Sequence, residues 1–185
     1  MLRFRDGDRA AFEELVRRNT SKVHGLIYRF LGDPSQVEDL TQDVFLRVFR
    51  NASRYVPTAK FSTWMYRIVA NLCFTVIRSR RRSQTVQLER PHPDEEDSYY
   101  RDVPDDVLPP PHEQMDCDEL RGKIAEAVSS LPDNQRLAIL LNKFEDMSYE
   151  GIAEILNCST MAVKSLLSRA RGNLRAALAR YVRRG

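Results

Sequence analysis

Apolar residues recur along this chain mostly at helical spacing, and strand signals are weak throughout. Val37, Leu40, Val44 and Val48, with Phe45 and Phe49 beside them, set an apolar stripe on a helix running to about Asn51. Its other side gathers Glu38, Asp39, Gln42 and Asp43. The preceding Gly32-Asp33-Pro34-Ser35-Gln36 reads as a stop and a start: Asp33 caps, Pro34 suits the first helical position, and Gln36 has capping-box spacing. Upstream, Ala11, Leu15, Val16, Val23, Leu26, Ile27 and Phe30 predict one or two helices. Downstream, Pro57 interrupts, and Ser62 or Thr63 caps a helix through Trp64, Ile68, Leu72 and Val76 to Arg82.

The pattern resumes near Asp116 and Glu119, whose spacing opens a helix through Leu120, Ile124 and Val128. Pro132 and Asp133 start a second, with Leu137, Leu140, Leu141 and Phe144 on its apolar side. Ser148 caps a third, Tyr149 to Leu156, which Asn157 ends because Asn tolerates the left-handed conformation of a helix stop. Ser159 or Thr160 caps a fourth that continues towards Arg180. The fold class expected is all-α, in two small helical domains over 1–82 and 113–185.

Between them, residues 83–112 hold the run Pro109-Pro110-Pro111 and a dense set of acids, Glu89, Asp94, Glu95, Glu96, Asp97, Asp102, Asp105 and Asp106. Such a segment buries too little apolar surface to fold alone, so it reads as a flexible acidic, Pro-rich linker. The formal net charge of +3 therefore understates the basic character of the two bodies. A basic body with one anionic insert suits a polyanion-binding protein.

Charge and aromatic placement sharpen this. No Asp or Glu occurs from Arg54 to Arg82, where Tyr55, Phe61, Trp64, Tyr66 and Phe74 interleave with Lys60, Arg67 and Arg78. Rings beside cations suit single-stranded nucleic acid, whose bases stack and whose phosphates need neutralising. Tyr55 and Phe61, flanking Pro57 in an expected loop, are the better placed for bases. Asn71 suits either a base-reading amide or a hydrogen-bonded core amide. In the C-terminal body, Ser148 to Leu156, a short turn and Met161 to Leu178 form a helix-turn-helix pattern, with Ala153 at the close approach and Ile152, Leu156, Val163 and Leu167 as its shared core. From Thr160 to the end, Lys164, Arg169, Arg171, Arg175, Arg180, Arg183 and Arg184 stand without a single acid. That composition suits a recognition helix in a major groove.

These residues resemble the bacterial RNA polymerase sigma factors, closest to the compact extracytoplasmic-function (ECF) type of the sigma-70 family. Glu38 to Leu46 resembles its region 2.2, Phe61 to Asn71 its regions 2.3 and 2.4, and Leu131-Pro132 through Ser148–Ala153 to Val163-Lys164-Ser165 and Arg169-Ala170-Arg171 its region 4. The resemblance implies a subunit that docks on core RNA polymerase, through the β′ clamp coiled coil and the β flap, and directs promoter-specific initiation. Asp39, Gln42, Asp43, Phe45 and Phe49 inherit the core-docking role. Tyr55, Lys60, Phe61, Trp64, Arg67, Asn71 and Arg78 inherit contact with the minus-ten element, as duplex and as melted non-template strand. Thr160, Lys164, Ser165, Ser168, Arg169 and Arg171 inherit contact with the minus-thirty-five element. The linker's acids would lie along the RNA exit path, and the family often uses an anti-sigma factor. Two positions depart from the common pattern: the turn usual as Pro-Val-Gly-Thr-Val reads Ser159-Thr160-Met161-Ala162-Val163, and Leu166 stands where a basic residue is common.

A helix-turn-helix regulator acting without polymerase would explain the C-terminal motif, but it needs neither the acidic helix face nor the aromatic stretch. An enzyme is not expected: there is no Gly-rich phosphate loop, and His24, His92 and His112 are dispersed. No cofactor, metal site or disulfide framework is expected from Cys73, Cys117 and Cys158, which form no CxxC. No apolar run approaches the roughly 18 residues of a membrane span. The N-terminus lacks a signal peptide's apolar core, so a cytoplasmic protein without membrane insertion is expected. The linker is expected to leave the two bodies unoriented in free solution.

Overall fold

The computed structural model describes residues 1–58, 60–87 and 111–182. Among these there are eight α-helices and no strand: α1 (Leu2–Arg5), α2 (Arg9–Leu31), α3 (Val37–Arg50), α4 (Phe61–Gln87), α5 (Pro111–Ser129), α6 (Asp133–Phe144), α7 (Tyr149–Leu156) and α8 (Thr160–Val182). Most of the segment expected as linker lies outside the described residues.

In the N-terminal body α2, α3 and α4 pack on one another. Asp8 caps α2 by accepting from the Ala11 amide, and Gly32 ends it in the left-handed region at φ 70. The connection to α3 is tighter than its spacing suggests. Asp33 accepts from the Ser35 amide and hydroxyl, and Pro34–Gln36 form a single 3-10 turn before α3 begins. Gln36 makes no capping box; its side-chain oxygen accepts from Arg80 of α4 at 3.2 Å, and Arg80 also reaches Asp33 at 2.6 Å. The Ser35 bonds first, and then Arg80, hold the Asp33 carboxyl below its usual range. α4 starts at Phe61, earlier than a Ser62 or Thr63 cap requires, and Thr63 lies buried inside its first turn.

In the C-terminal body α5 begins at Pro111 rather than near Asp116. α6 buries Leu137, Ala138, Ile139, Leu140 and Leu141, but leaves Phe144 exposed. The helix-turn-helix forms as its caps dictate. Ser148 accepts from the Gly151 amide (3.2 Å), Asn157 closes α7 at φ 50, and Ser159, not Thr160, caps α8 by accepting from the Ala162 amide (3.1 Å). Ile152, Val163 and Leu167 are buried between α7 and α8, with Ala153 at 8% exposure.

The expectation of unoriented bodies is corrected: the two share one contiguous apolar core. α7 lies on α4, and α6 on α2. The Tyr66 hydroxyl of α4 donates to the Glu145 carboxylate beyond α6. Burial first, and Glu145 second, push the Tyr66 phenol far above its usual range. Arg136 of α6 donates to the carbonyl oxygens of Phe30 (2.8 Å) and Leu131 (3.1 Å), stitching α2 to the loop before α6. Arg29 stacks 4.4 Å above the exposed Phe144 ring, and Arg81 pairs with Asp133 at 3.0 Å. The closed packing is possible because each body offers apolar surface that its own helices do not cover.

Candidate docking and nucleic-acid surfaces

Three exposed surfaces carry the residues singled out above. On α3, Val37, Thr41, Val44, Phe45 and Val48 are buried, which turns Glu38, Asp39, Gln42, Leu46 and Phe49 outward. Asp39, Gln42, Leu46 and Phe49 recur at helical spacing, so they form one stripe, with half-buried Asp43 beside it pairing to Arg47 at 3.1 Å. Phe45, expected on this surface, is instead 7% exposed and belongs to the core. Leu46, half exposed, takes its place. The hydrophobic period does not mark Leu46 because it lies on the polar side, and a leucine on that side is itself the signal. Phe49 is steadied from beneath by Phe4 of α1 and Phe12 of α2, at ring separations of 5.2 and 5.3 Å.

The second surface runs along α4 from Lys60, the residue just before it. Lys60, half-buried Trp64, Arg67, Asn71, Thr75, Arg78 and Arg82 succeed one another at intervals of three or four residues, and all but Trp64 are exposed. They form a single basic stripe along the helix. Asn71 points to solvent, so the core-amide alternative is removed. Tyr55 is not an exposed loop ring. It is 5% exposed and sits edge-on to Trp64 at 5.3 Å and to Phe61 at 6.2 Å. Its role is to brace the two rings that do reach the surface. Phe61 belongs to the first turn of α4, not to the loop.

The third surface is on α8. Val163, Leu167 and Ala170 are buried, while Thr160, Met161, Lys164, Ser165, Ser168, Arg169, Arg171 and Arg175 are exposed. Every expected minus-thirty-five residue therefore lies on the open side of the helix. Leu166 faces elsewhere: with Phe74, Ile77 and Arg78 of α4 it lines a cleft of about 630 Å³ between the bodies, which also takes in Asp133 and Gln135. A basic side chain there would face the other body. Cys73 is buried, and that burial raises its thiol to about 12. Among the described residues no helix is long and apolar enough to cross a membrane.

These surfaces coincide with two family matches, Sigma-70 region 2 over residues 15–83 and Sigma-70 region 4 over residues 121–174. The ECF RNA polymerase sigma factor SigW of Bacillus subtilis is 34% identical over 169 residues, covering 91% of this chain and 89% of that protein. The ECF RNA polymerase sigma-E factor of Escherichia coli is 32% identical over 173 residues, covering 91% and 87%. The fold is that of the sigma factor RpoE from Bartonella quintana, solved with the anti-sigma factor NepR, at a TM-score of 0.73, 20% identity and coverage of 91% of this chain and 97% of that one. The chain thus belongs to the ECF group of the sigma-70 family, and it directs promoter-specific transcription initiation through its regions 2 and 4.

Proposed function

We propose a division of labour among the three surfaces. The α3 stripe of Asp39, Gln42, Leu46 and Phe49, with Asp43 beside it, docks on the β′ clamp coiled coil of core RNA polymerase. An exposed acidic and apolar face on a helix separate from those that carry the basic stripes suits a protein partner and repels nucleic acid. The α4 stripe takes the minus-ten element: Phe61 and Trp64 offer rings to unpaired bases, Asn71 an amide, and Lys60, Arg67 and Arg78 phosphate contacts. The exposed side of α8 enters the major groove of the minus-thirty-five element, where Arg169 reads a base edge and Lys164 and Arg171 hold the backbone. The chain supplies specificity rather than an active site, and it works in the cytoplasm where polymerase is. A sigma factor of the same fold was solved in complex with an anti-sigma factor, and we extend that mode of control to this chain.

The observation that carries this reading is the segregation of charge: two acid-free exposed stripes on α4 and α8, and one acidic-apolar stripe on α3. In-vitro transcription with core polymerase, with start sites mapped across the genome, tests it. We expect discrete starts preceded by two shared elements, and none without this protein. Asp43→Arg should weaken core binding far more than it changes non-specific DNA affinity. Equal losses in both would remove the docking role, and tight specific binding to duplex by the isolated chain would favour a regulator independent of polymerase.

A further inference from the structure

Met161 sits in the first turn of α8 and is 72% exposed, the most exposed of the large apolar side chains among the described residues. At 3.6 residues per turn, Met161, Ser165, Ser168 and Gly172 share one line along the helix. That line lies opposite the buried residues Val163, Leu167 and Ala170. Lys164 and Arg171 flank it on one side and Arg169 on the other, all exposed. The outward face of α8 is therefore uncharged along its centre, short beyond Met161, and cationic at its edges. A helix lying in a major groove needs that profile: edges that reach phosphates and a low centre that meets the groove floor. The N-terminal residues of such a helix come closest to the base edges. Met161 is the one large apolar group there.

The groove floor offers one apolar feature, the 5-methyl group of thymine. We propose that Met161 is a specificity-determining residue that selects a thymine in the minus-thirty-five element by covering its methyl group. The inference rests on the placement of α8 in that element proposed above. Met161 occupies the position of glycine in the family's common turn, so this preference would belong to this chain. The thioether side chain is unbranched and adapts to an irregular apolar surface. Ser165, one turn further on, has no group that would compete for the methyl.

The test uses holoenzyme, with the full chain on core polymerase, and promoter duplexes in which each minus-thirty-five thymine is replaced in turn by uracil. Uracil pairs identically and lacks only the methyl. One replacement should lower the affinity of the wild type about fourfold, the value of burying one methyl-sized group. The same replacement should leave Met161→Ala unchanged, and that variant on unmodified promoter should match the wild type on the uracil promoter. Met161→Ala should also keep the wild-type salt dependence, whereas Lys164→Ala lowers the slope by about one. If every uracil substitution affects wild type and Met161→Ala alike, the assignment is wrong. If a scrambled minus-thirty-five element leaves wild-type affinity intact, the placement of α8 itself fails, a separate outcome.

Discussion

Phe45 and Leu46 are adjacent, yet the turn of α3 carries one into the core at 7% exposure and the other to the surface at 51%. Their substitution should separate stability from docking. Phe45→Ala leaves a ring-sized cavity and should cost about 3–5 kcal/mol in a denaturation curve. Leu46→Ala should stay within about 0.5 kcal/mol of wild-type stability, while core-polymerase affinity falls roughly tenfold or more as an anchor is lost from the interface. Unchanged affinity would place the docking surface elsewhere. Cys73 gives a second measurement at this scale. Burial pushes its thiol from the ordinary value near 9 up to about 12. Between those values the unfolded chain loses the proton and the folded chain keeps it. The stability that accompanies the buried thiol is thus present below pH 9 and is lost as pH rises towards 12. Cys73→Ala should flatten the fall of the melting temperature between pH 8.5 and 10 relative to wild type; parallel curves would mean that Cys73 is not the group responsible.

At the scale of the element, local chemistry decided the C-terminal helices and could be read in advance. Ser148, Asn157 and Ser159 satisfy backbone groups within three or four residues of themselves, so their sequence context holds all the information needed. Ser148→Ala should therefore lower stability by about 1 kcal/mol, and Ser148→Asp should restore it. Recovery failing in the Asp variant would show that the hydroxyl serves a contact other than the cap. Elements whose placement depends on partners far along the chain were less legible. α1 is four residues long, too short to display a period or to persist alone, and it exists because Phe4 stacks on Phe12 and Phe49. Gln36 has capping-box spacing but answers to Arg80, 44 residues away. Tyr55 has the flanks of a loop ring, but the geometry of α4 brings Trp64 over it. The basic stripes needed only the helical period and the absence of acids, which is why the exposure of Lys60, Arg67 and Arg78, and of Lys164, Arg169 and Arg171, was legible in the sequence.

On the scale of the whole molecule, the contacts that close it join Tyr66 to Glu145 across 79 residues and Arg136 to Phe30 across 106, pairings that no local pattern announces. Their consequence is geometric. Leu166 of α8 shares a cleft with Phe74 and Ile77 of α4. Phe61 is thirteen residues before Phe74, about 20 Å along the helix at 1.5 Å per residue. The two reading stripes therefore lie a few tens of ångströms apart at most. Elements centred about 25 base pairs apart are separated by roughly 85 Å at 3.4 Å per pair. With the stripes assigned to these elements as proposed, the closed chain cannot span both, and the expected outcome is that the bodies part when promoter is engaged. Loosening the contacts should mimic part of that opening. Tyr66→Phe removes only the hydroxyl that holds Glu145, and Arg29→Ala removes the cation over Phe144. Neither residue lies on a reading stripe. The double variant should lengthen the distance between fluorophores on α3 and α8 in the isolated protein, and raise its affinity for promoter duplex several-fold, with start-site choice on core unchanged. If distance and affinity both stay at wild-type values, packing of α7 on α4 alone sustains the closed form. If the distance lengthens and affinity does not rise, closure is not what keeps the free chain off DNA.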